Sequence, residues 1–452
     1  MRDQISEALK GHDAQYVEIR LEESDATTLR YRGRELEEVG RAVGLGGNVR
    51  ALAGGGWGFA SFNDISHLKE HVAAAVSHAR RVGGERVALA EVAPHVDFVP
   101  AEAPSNPLAI PLADKKRLLD DYVGLMLGVE GVSSCWLSYG DGSRKVYFAN
   151  SEGSYIEQER IDINLGMSAM ARDGGNVQQS TESVGSLGDF NFIAHLHGVA
   201  EDLGRKAVSL LRAPRVKGGE YPVILDPVLA GVFIHEAFGH LSEADHIYTD
   251  DRMRDLMQMG RRFGPPHLNV VDGAAIPGLR GSYKYDDEGT PAARTYLIRE
   301  GVLVGRLHSR ETAAAMKELP TGNARAINHA FPPIVRMTNT LIEPGAATLQ
   351  DMLAGIKEGV YAKNWYGGMT SMEMFTFSAG EAYMVRNGKI EELLRPVMLS
   401  GNLFTTLAIL DMVGNDLDMN QGGGCGKDGQ SPLPVSNGSP HVRIRQCLVG
   451  GA

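Results

Sequence analysis

Cysteine is scarce in this chain, which has only three among 452 residues, namely Cys135, Cys425 and Cys447. No two of them form a Cys-x-x-Cys pair, which argues against a disulfide-based scaffold. Cys135 and Cys447 lie in apolar stretches typical of packed, unreactive thiols. Cys425 lies in a glycine-rich loop, so both an ordinary loop thiol and a metal-binding thiolate remain open for it.

Positive charge and long apolar runs are also lacking. The formal net charge is −11, and no stretch rich in lysine and arginine is present, so we expect no direct contact with nucleic acid. The first residues are charged and contain no apolar signal core, and no uncharged apolar run is long enough to span a bilayer. We therefore expect a cytoplasmic protein without membrane segments.

The N-terminal half shows patterns of both strand and helix. Residues 17–21 alternate apolar and charged side chains, as in a half-buried strand, and residues 28–32 are predicted to form its hairpin partner. The spacing of apolar residues predicts covering helices over residues 65–79, 115–127 and 199–211. Two glycine runs, residues 44–47 and 54–56, lack the spacing of nucleotide-binding loops and are predicted to be hairpin turns.

The C-terminal half has mostly short strand patterns and glycine turns. Hairpins are predicted around residues 299–301 and at Asn387-Gly388. Pro214 and the glycine pair that follows it mark a domain border. The length predicts two or three domains, and the patterns predict an α+β chain. We expect an N-terminal α/β domain with a sheet and covering helices over residues 1–214, and a mainly β domain over residues 215–452 that carries a metal-binding helix.

The run His235-Glu236-Ala237-Phe238-Gly239-His240 brings two imidazoles and a carboxylate together. These groups suit metal-assisted hydrolysis, because imidazoles bind the ion and a carboxylate takes a proton from water. A helix is predicted from Pro227, with Asp226 as its N-cap, toward Gly239. The histidines are five residues apart, which leaves them about 140° apart on a straight helix. We therefore expect either a π-type turn or a left-handed cap at Gly239 to bring His240 back.

Further polar residues have open roles. Glu243 and Asp245 either orient the histidines or are solvated residues after the helix end. His246 is a reserve candidate for a metal ligand. Asn323 and Arg325 either contact substrate or form a buried structural pair.

Six motifs in order give the chain a resemblance to the TldD/PmbA peptidases, a family also called modulators of DNA gyrase. The first motif is the glycine-rich run at residues 54–61. The next four lie at residues 235–240, 286–291, 321–325 and 336–340, and the sixth combines residues 414–416 and 425–430. The chain resembles the catalytic TldD type, which carries His-Glu-x-x-x-His, rather than the TldE/PmbA type, which has lost it. It departs from its relatives at residues 367–375, where an aspartate and a Thr-Gly pair are more usual.

The resemblance implies a zinc metalloprotease that cleaves unfolded or short peptides. His235, His240 and Cys425 would hold Zn²⁺, and Glu236 would be the general base. It also implies a substrate site enclosed by a dimer, in which the N-terminal domain takes part and the partner is either a second copy or a TldE/PmbA-like subunit. The departure at residues 367–375 leaves substrate preference open.

Two other classes remain as alternatives. A cysteine hydrolase would use Cys425 as its nucleophile with a histidine base. A non-catalytic scaffold would keep zinc only to hold the C-terminal loop, as a closed structural site.

Overall fold

The computed structural model describes residues 1–84, 87–371 and 373–451. The chain is α+β, as predicted, and its strands form separate sheets in the two halves of the sequence. Met372, which belongs to the segment that departs from the family pattern, lies outside the described residues. Across the described ranges, no helix is both long enough and apolar enough to cross a membrane.

The N-terminal half is built on one sheet of long strands. Its strands are β1 (Tyr16–Arg32), β2 (Glu35–Ala53), β3 (Gly56–Phe62), β4 (Val96–Val99), β5 (Val132–Asn150), β6 (Tyr155–Asp173) and β7 (Asn176–Ser186). Its helices are α1 (Arg2–Ala8), α2 (Leu68–Val82), α3 (Leu112–Gly128), α4 (Asn191–Ala194) and α5 (His197–Arg212). The strand order is β3-β2-β1-β5-β6-β4, and β7 also pairs with β6. Each of the three predicted helices is present, as α2, α3 and α5.

The prediction of a hairpin partner at residues 28–32 is wrong, because β1 runs unbroken through them. It pairs along its length with both β2 and β5, and its true hairpin partner is β2. The first residues of β1 are also buried on both faces rather than half-buried. The charged Glu18 side chain is covered by its ion pair with Arg50, which lies directly opposite it on β2.

The two glycine runs have different roles. Gly54 and Gly55, with φ of 62° and 81°, form the predicted turn between β2 and β3. The turn predicted at residues 44–47 is wrong, because these residues lie inside β2. A Cβ atom on Gly47 would lie 2.4 Å from the Leu21 side chain, so this position needs glycine for close packing within the sheet.

The C-terminal half is mainly β, with short helices. Its helices are α6 (Pro227–Ile234), α7 (Ala244–Thr249), α8 (Asp251–Leu256), α9 (Arg310–Met316), α10 (Leu349–Ala354) and α11 (Leu403–Ala408). Its strands are β8 (Gly219–Leu225), β9 (Val270–Gly273), β10 (Arg294–Arg299), β11 (Val302–Leu303), β12 (Ala324–Arg325), β13 (Ile334–Val335), β14 (Asn339–Ile342), β15 (Glu358–Lys363), β16 (Gly367–Ser371), β17 (Met374–Ser378), β18 (Glu381–Arg386), β19 (Lys389–Leu394), β20 (Val397–Asn402), β21 (Leu410–Val413), β22 (Asp418–Asn420), β23 (Gly424–Lys427), β24 (Gln430–Pro434), β25 (Ser436–Ser439) and β26 (Val442–Gly451).

Two larger sheets enclose α6. One has the order β16-β17-β20-β26-β8-β15-β18-β19, and the other has the order β11-β10-β9-β14-β25-β22. The helix packs against β14, β22 and β25 of the second sheet and follows directly from β8 of the first. A Cβ atom on Gly231 would lie 2.9 Å from the backbone of Gly438, so glycine permits the close approach of helix and sheet. Both predicted hairpins are confirmed, as β10 with β11 and β18 with β19.

Buried ion pairs join the N-terminal sheet to the C-terminal half. The Arg50 side chain lies 3.2 Å from the Glu18 carboxylate and 2.8 Å from the Glu288 carboxylate, and both carboxylates are only 3% exposed. Burial raises the pKa of Glu18, although the adjacent guanidinium opposes this effect. One arginine therefore compensates carboxylates from both halves.

The substitution Arg50→Met is expected to lower the free energy of unfolding by about 3–5 kcal/mol, because it leaves two buried carboxylates without their cation. Urea denaturation measures this loss. Arg41→Met is the control, since Arg41 pairs with Asp25 at the surface, where its side chain is 70% exposed. That variant should unfold at nearly the same urea concentration as the unmodified protein. An equally small effect of both substitutions would contradict a stabilising role for the buried pairs.

Candidate metal centre

The helix that carries the histidines is positioned by a buried strand. β8 lies between β26 and β15, and Asp226 follows it as the N-cap of α6. The Asp226 side chain accepts a hydrogen bond from the Leu229 amide at 2.9 Å, and Pro227 occupies the first helical position, as predicted. The following residues are apolar on all sides because sheets surround the helix.

A π-type turn follows α6 at His235–Gly239, which confirms one of the two predicted alternatives. The His240 amide donates to the His235 carbonyl, so this turn contains an extra residue and brings His240 back beside His235. Gly239 has φ of −58°, so the left-handed cap does not form. A Cβ atom here would lie 2.0 Å from the Met337 sulfur, which explains the glycine.

Three potential metal ligands meet at this turn. The ligand atoms of His235, His240 and Cys425 all lie within 4.8 Å of one another. The Cys425 sulfur is 3.4 Å from His240 Nε2, and the two imidazole rings are 5.4 Å apart at an angle of 78°. Buried His235 Nδ1 has no hydrogen-bond partner within the described part of the chain. This arrangement can hold a metal ion.

The thiol and one imidazole favour opposite charges. Burial alone would raise the pKa of Cys425, but His235 and His240 lower it to about 4. Burial alone would lower the pKa of His240, but Glu243 and Cys425 raise it to about 11. The cysteine is therefore held as the thiolate, which is the form that binds metals.

Glu243 lies directly behind His240. Its fully buried carboxylate is 3.1 Å from His240 Nδ1 and accepts a hydrogen bond from the Met337 amide at 3.3 Å. Burial would raise the pKa of Glu243, but His240 and Lys427 lower it to about 2. A carboxylate in this position fixes which ring nitrogen of the histidine faces the cluster.

Lys427 links this carboxylate to Asp245. Its ammonium lies 3.1 Å from Glu243 and 2.7 Å from Asp245, and it also donates to the Val335 carbonyl at 2.9 Å. Asp245 thus acts on the histidine only indirectly. The sequence reasoning missed Lys427, although its position two residues after Cys425 in a strand pattern places both side chains on one face.

A buried arginine holds the hairpin that supplies Cys425. This hairpin consists of β23 and β24, and Arg336, which is completely buried, donates to the carbonyls of Cys425 at 2.7 Å and Gln430 at 3.1 Å. Arg336 belongs to a recognised motif, but its clamping role was not predicted. The motif alone gave no signal for it, because the contact spans 89 residues of sequence.

The remaining candidates are placed as follows. Asn323 binds Asp272, and Arg325 donates to the carbonyls of Met337 and Pro434, so the structure brings them into buried structural contacts. His246 is exposed and outside the metal cluster.

Glu236 is half-buried in the π-type turn, immediately after His235. Within the described residues its side chain makes no hydrogen bond, in contrast to Glu243 and Asp245. The edge strand β16 contacts the same turn and, among the strands that the structure describes, pairs only with β17. The three potential ligands thus lie beside the Glu236 carboxylate and the edge strand β16.

Comparisons with known proteins point to the same family in every part of the chain that they match. Three family models match, described as PmbA/TldA metallopeptidase domain 1 at residues 17–82, central domain at residues 105–211 and C-terminal domain at residues 218–451. A metalloprotease of Synechocystis sp. is 46% identical over 97% of this chain and 95% of its own length. A zinc metalloprotease TldD homolog of Saccharolobus solfataricus is 30% identical over 91% of each chain.

Solved structures share the fold at low sequence identity. A putative modulator of a DNA gyrase from Thermotoga maritima superimposes with a TM-score of 0.81 at 20% identity, over 99% of each chain. TldE from Thermococcus kodakarensis gives a TM-score of 0.79 at 16% identity, over the full length of both chains.

Proposed function

Because the chain belongs to the TldD/PmbA metallopeptidase family, we propose that it is a zinc-dependent peptidase whose ion is held by His235, His240 and Cys425. The observation that carries this proposal is the convergence of three ligand atoms within 4.8 Å. Two come from one helical turn and the third from a hairpin 185 residues later. Chance packing seldom aligns a thiolate with two imidazoles in this way.

Zinc suits this set of donors better than the alternatives. Two imidazoles and a thiolate are borderline or soft ligands, which disfavour magnesium and calcium. In a tetrahedral zinc site, ligand atoms lie about 3.3–3.6 Å apart, and the sulfur-to-nitrogen distance of 3.4 Å agrees with this. Three protein ligands leave a fourth position open, as catalytic sites require. When bound, zinc supplies Lewis acidity toward the scissile carbonyl and makes water more acidic.

Glu236 is the proposed general base. Its carboxylate accepts the proton of the attacking water and then delivers it to the amine that leaves, so the cleaved peptide bond gains one water in total. The half-buried side chain, without a competing hydrogen bond in the described residues, is available for both transfers.

Glu243, Lys427 and Asp245 act as positioning residues. Glu243 holds the His240 ring through Nδ1, so that Nε2 faces Cys425. Lys427 compensates the charge of Glu243 and ties it to Asp245. The site is thereby preorganised before the ion enters.

Unfolded or short peptides are the proposed substrates. An extended peptide can pair with the free edge of β16, which contacts the π-type turn, through main-chain hydrogen bonds. Such pairing depends on the main chain of the peptide, so it discriminates little between side chains. Because β16 belongs to the segment that departs from the family pattern, side-chain preference should differ from that of relatives at this edge.

We assign residues 1–214 to substrate enclosure and dimerisation and residues 215–452 to catalysis. The proposed partner is a second copy or a TldE-like subunit. The likeness to TldE over the full length supports the second possibility, since paired subunits of common fold can form a pseudosymmetric dimer.

Removal of the metal tests the peptidase. We expect 1,10-phenanthroline to abolish cleavage of unfolded casein, and one equivalent of zinc to restore it after the chelator has been removed by dialysis. Bound zinc should also protect Cys425 from iodoacetamide, because a ligated thiolate is a poor nucleophile. Casein fragments and alkylation are both followed by mass spectrometry.

The alternatives give different results in the same assay. A cysteine hydrolase would keep its activity in the chelator and lose it with iodoacetamide. A scaffold would contain zinc and cleave nothing.

A further inference from the structure

Three guanidinium groups converge on a small cavity behind the hairpin that supplies Cys425. The cavity has a volume of about 30 Å³, and Arg144, Arg160 and Arg325 are among its lining residues. Leu433, which lies opposite Cys425 in the hairpin, also lines it. The space lies between the N-terminal sheet and the C-terminal half.

Two of these arginines are direct neighbours across the sheet. Arg144 of β5 and Arg160 of β6 are paired in the strand register, so their side chains leave the same face. Like charges in directly opposed positions repel each other and destabilise a sheet. Arg325 then adds a third positive group from the other side of the cavity.

The nearest carboxylates are paired mainly with Arg20 and Arg144, and Asp287 also lies 3.9 Å from Arg144. Arg144 lies 2.9 Å from Glu22, and Asp287 lies 3.2 Å from Arg20, which also binds Glu22. These two arginines and two acids balance one another. Asp286 and Asp287 also line the cavity, and Asp286 accepts hydrogen bonds from the backbone amides of Glu288, Thr290 and Ala324.

Arg160 and Arg325 lack carboxylate partners within 4.0 Å among the described residues. Arg160 donates to the Arg280 carbonyl at 2.8 Å, and Arg325 donates only to the carbonyls of Met337 and Pro434. Burial and then the charge of Arg325 lower the pKa of Arg160 to about 10. Within the described part of the chain, both guanidinium groups therefore line the cavity without a direct ion pair.

We propose that this cavity binds a small inorganic anion of the size of chloride between Arg144, Arg160 and Arg325. The volume of about 30 Å³ admits one or two water-sized species and excludes a peptide or a nucleotide. The anion relieves the repulsion between the arginines and joins both halves of the chain.

The site also has a consequence for the metal centre, which rests on the proposed function. Arg325 holds the Pro434 carbonyl, and Pro434 is paired with Gly424, the residue before Cys425. An anion that fixes Arg325 therefore stabilises the hairpin in the position that brings Cys425 to the histidines.

Thermal unfolding in different sodium salts at equal ionic strength tests the anion site. Chloride and bromide should raise the melting temperature in a saturable manner by about 2 °C or more relative to gluconate, which is too large to enter. Crystals grown in bromide should show an anomalous scattering peak between the three arginines. Equal melting in all three salts, or no peak, would overturn the proposal.

The variant Arg160→Met separates anion binding from a merely structural role. Because it removes the repulsion, it should melt in gluconate no lower than the unmodified protein, and the response to halide should disappear. Arg172→Met, an exposed position on the same strand, is the control and should keep that response. An equal loss of stability in every salt for Arg160→Met would show that Arg160 is only structural.

These readouts need neither zinc nor proteolysis. If the halide response is present and casein is not cleaved, the proposed function fails while the anion site stands. If casein is cleaved and no halide response is present, the proposed anion site fails while the proposed function stands.

Discussion

The variant Glu236→Gln should lose peptide cleavage by a factor of about 10²–10⁴ while it keeps one zinc per chain. Glutamine has nearly the same shape as glutamate but cannot accept a proton at neutral pH. Glu236 is also not among the converging ligand atoms, so the ion should stay in place. Steady-state kinetics with an unfolded peptide, together with elemental analysis of the same sample, measures both quantities.

Glu130→Gln is the matched control, because it makes the same chemical change at an exposed position in the turn that follows α3. Its kcat/KM should stay close to that of the unmodified protein. If Glu236→Gln kept more than a tenth of the activity, another group would have to be the base. If it lost zinc as well, Glu236 would have to help hold the ion.

The variant Cys425→Ala should lose both zinc and cleavage. Changes to residues that merely orient metal ligands already cost about 10–100-fold in metal affinity, so removal of a ligand should cost at least 100-fold. The two histidines then remain beside each other without the third ligand. Competition with a fluorescent zinc chelator measures the affinity, and casein cleavage measures the activity.

Cys447→Ala provides a close comparison, since Cys425 and Cys447 are each 5% exposed. Burial raises the pKa of Cys447 to about 12, as expected for a packed thiol, and this variant should bind zinc as the unmodified protein does. Full zinc binding by Cys425→Ala would refute the proposed ligand set. Lost cleavage with unchanged zinc affinity would favour the cysteine hydrolase.

Much of the local structure around the metal centre could be predicted from the sequence because its causes are local. Asp226 and Pro227 fix the start of α6, and the five-residue spacing of the histidines requires a turn wider than that of a regular helix. The hairpin corner at Asn387-Gly388 likewise follows from residues that accept positive φ.

The features that could not be predicted from the sequence depend on contacts between residues that are distant in the chain. The continuity of β1 depends on β2, which pairs with it over its whole length, and on β5, which pairs with it from Glu18 to Arg32, and no nearby residue signals this. Glu288, which pairs with Arg50, and Arg336, which binds the Cys425 carbonyl, lie far from these partners in the sequence, so neither contact could be predicted. Lys427 is a charged residue in the sequence, but its carboxylate partners Glu243 and Asp245 lie close to it only in the folded chain.

The pairing of β26 with β8 has a consequence for protein synthesis. β8 leads into the helix that carries the histidines. One of its two neighbours is β26, which follows Cys425 in the sequence. A ribosome must therefore synthesise Cys425, 185 residues after His240, and then β26 before the proposed metal site can be completed. We therefore expect chains that stop before Cys425 to lack peptidase activity, because the third proposed ligand is missing from them.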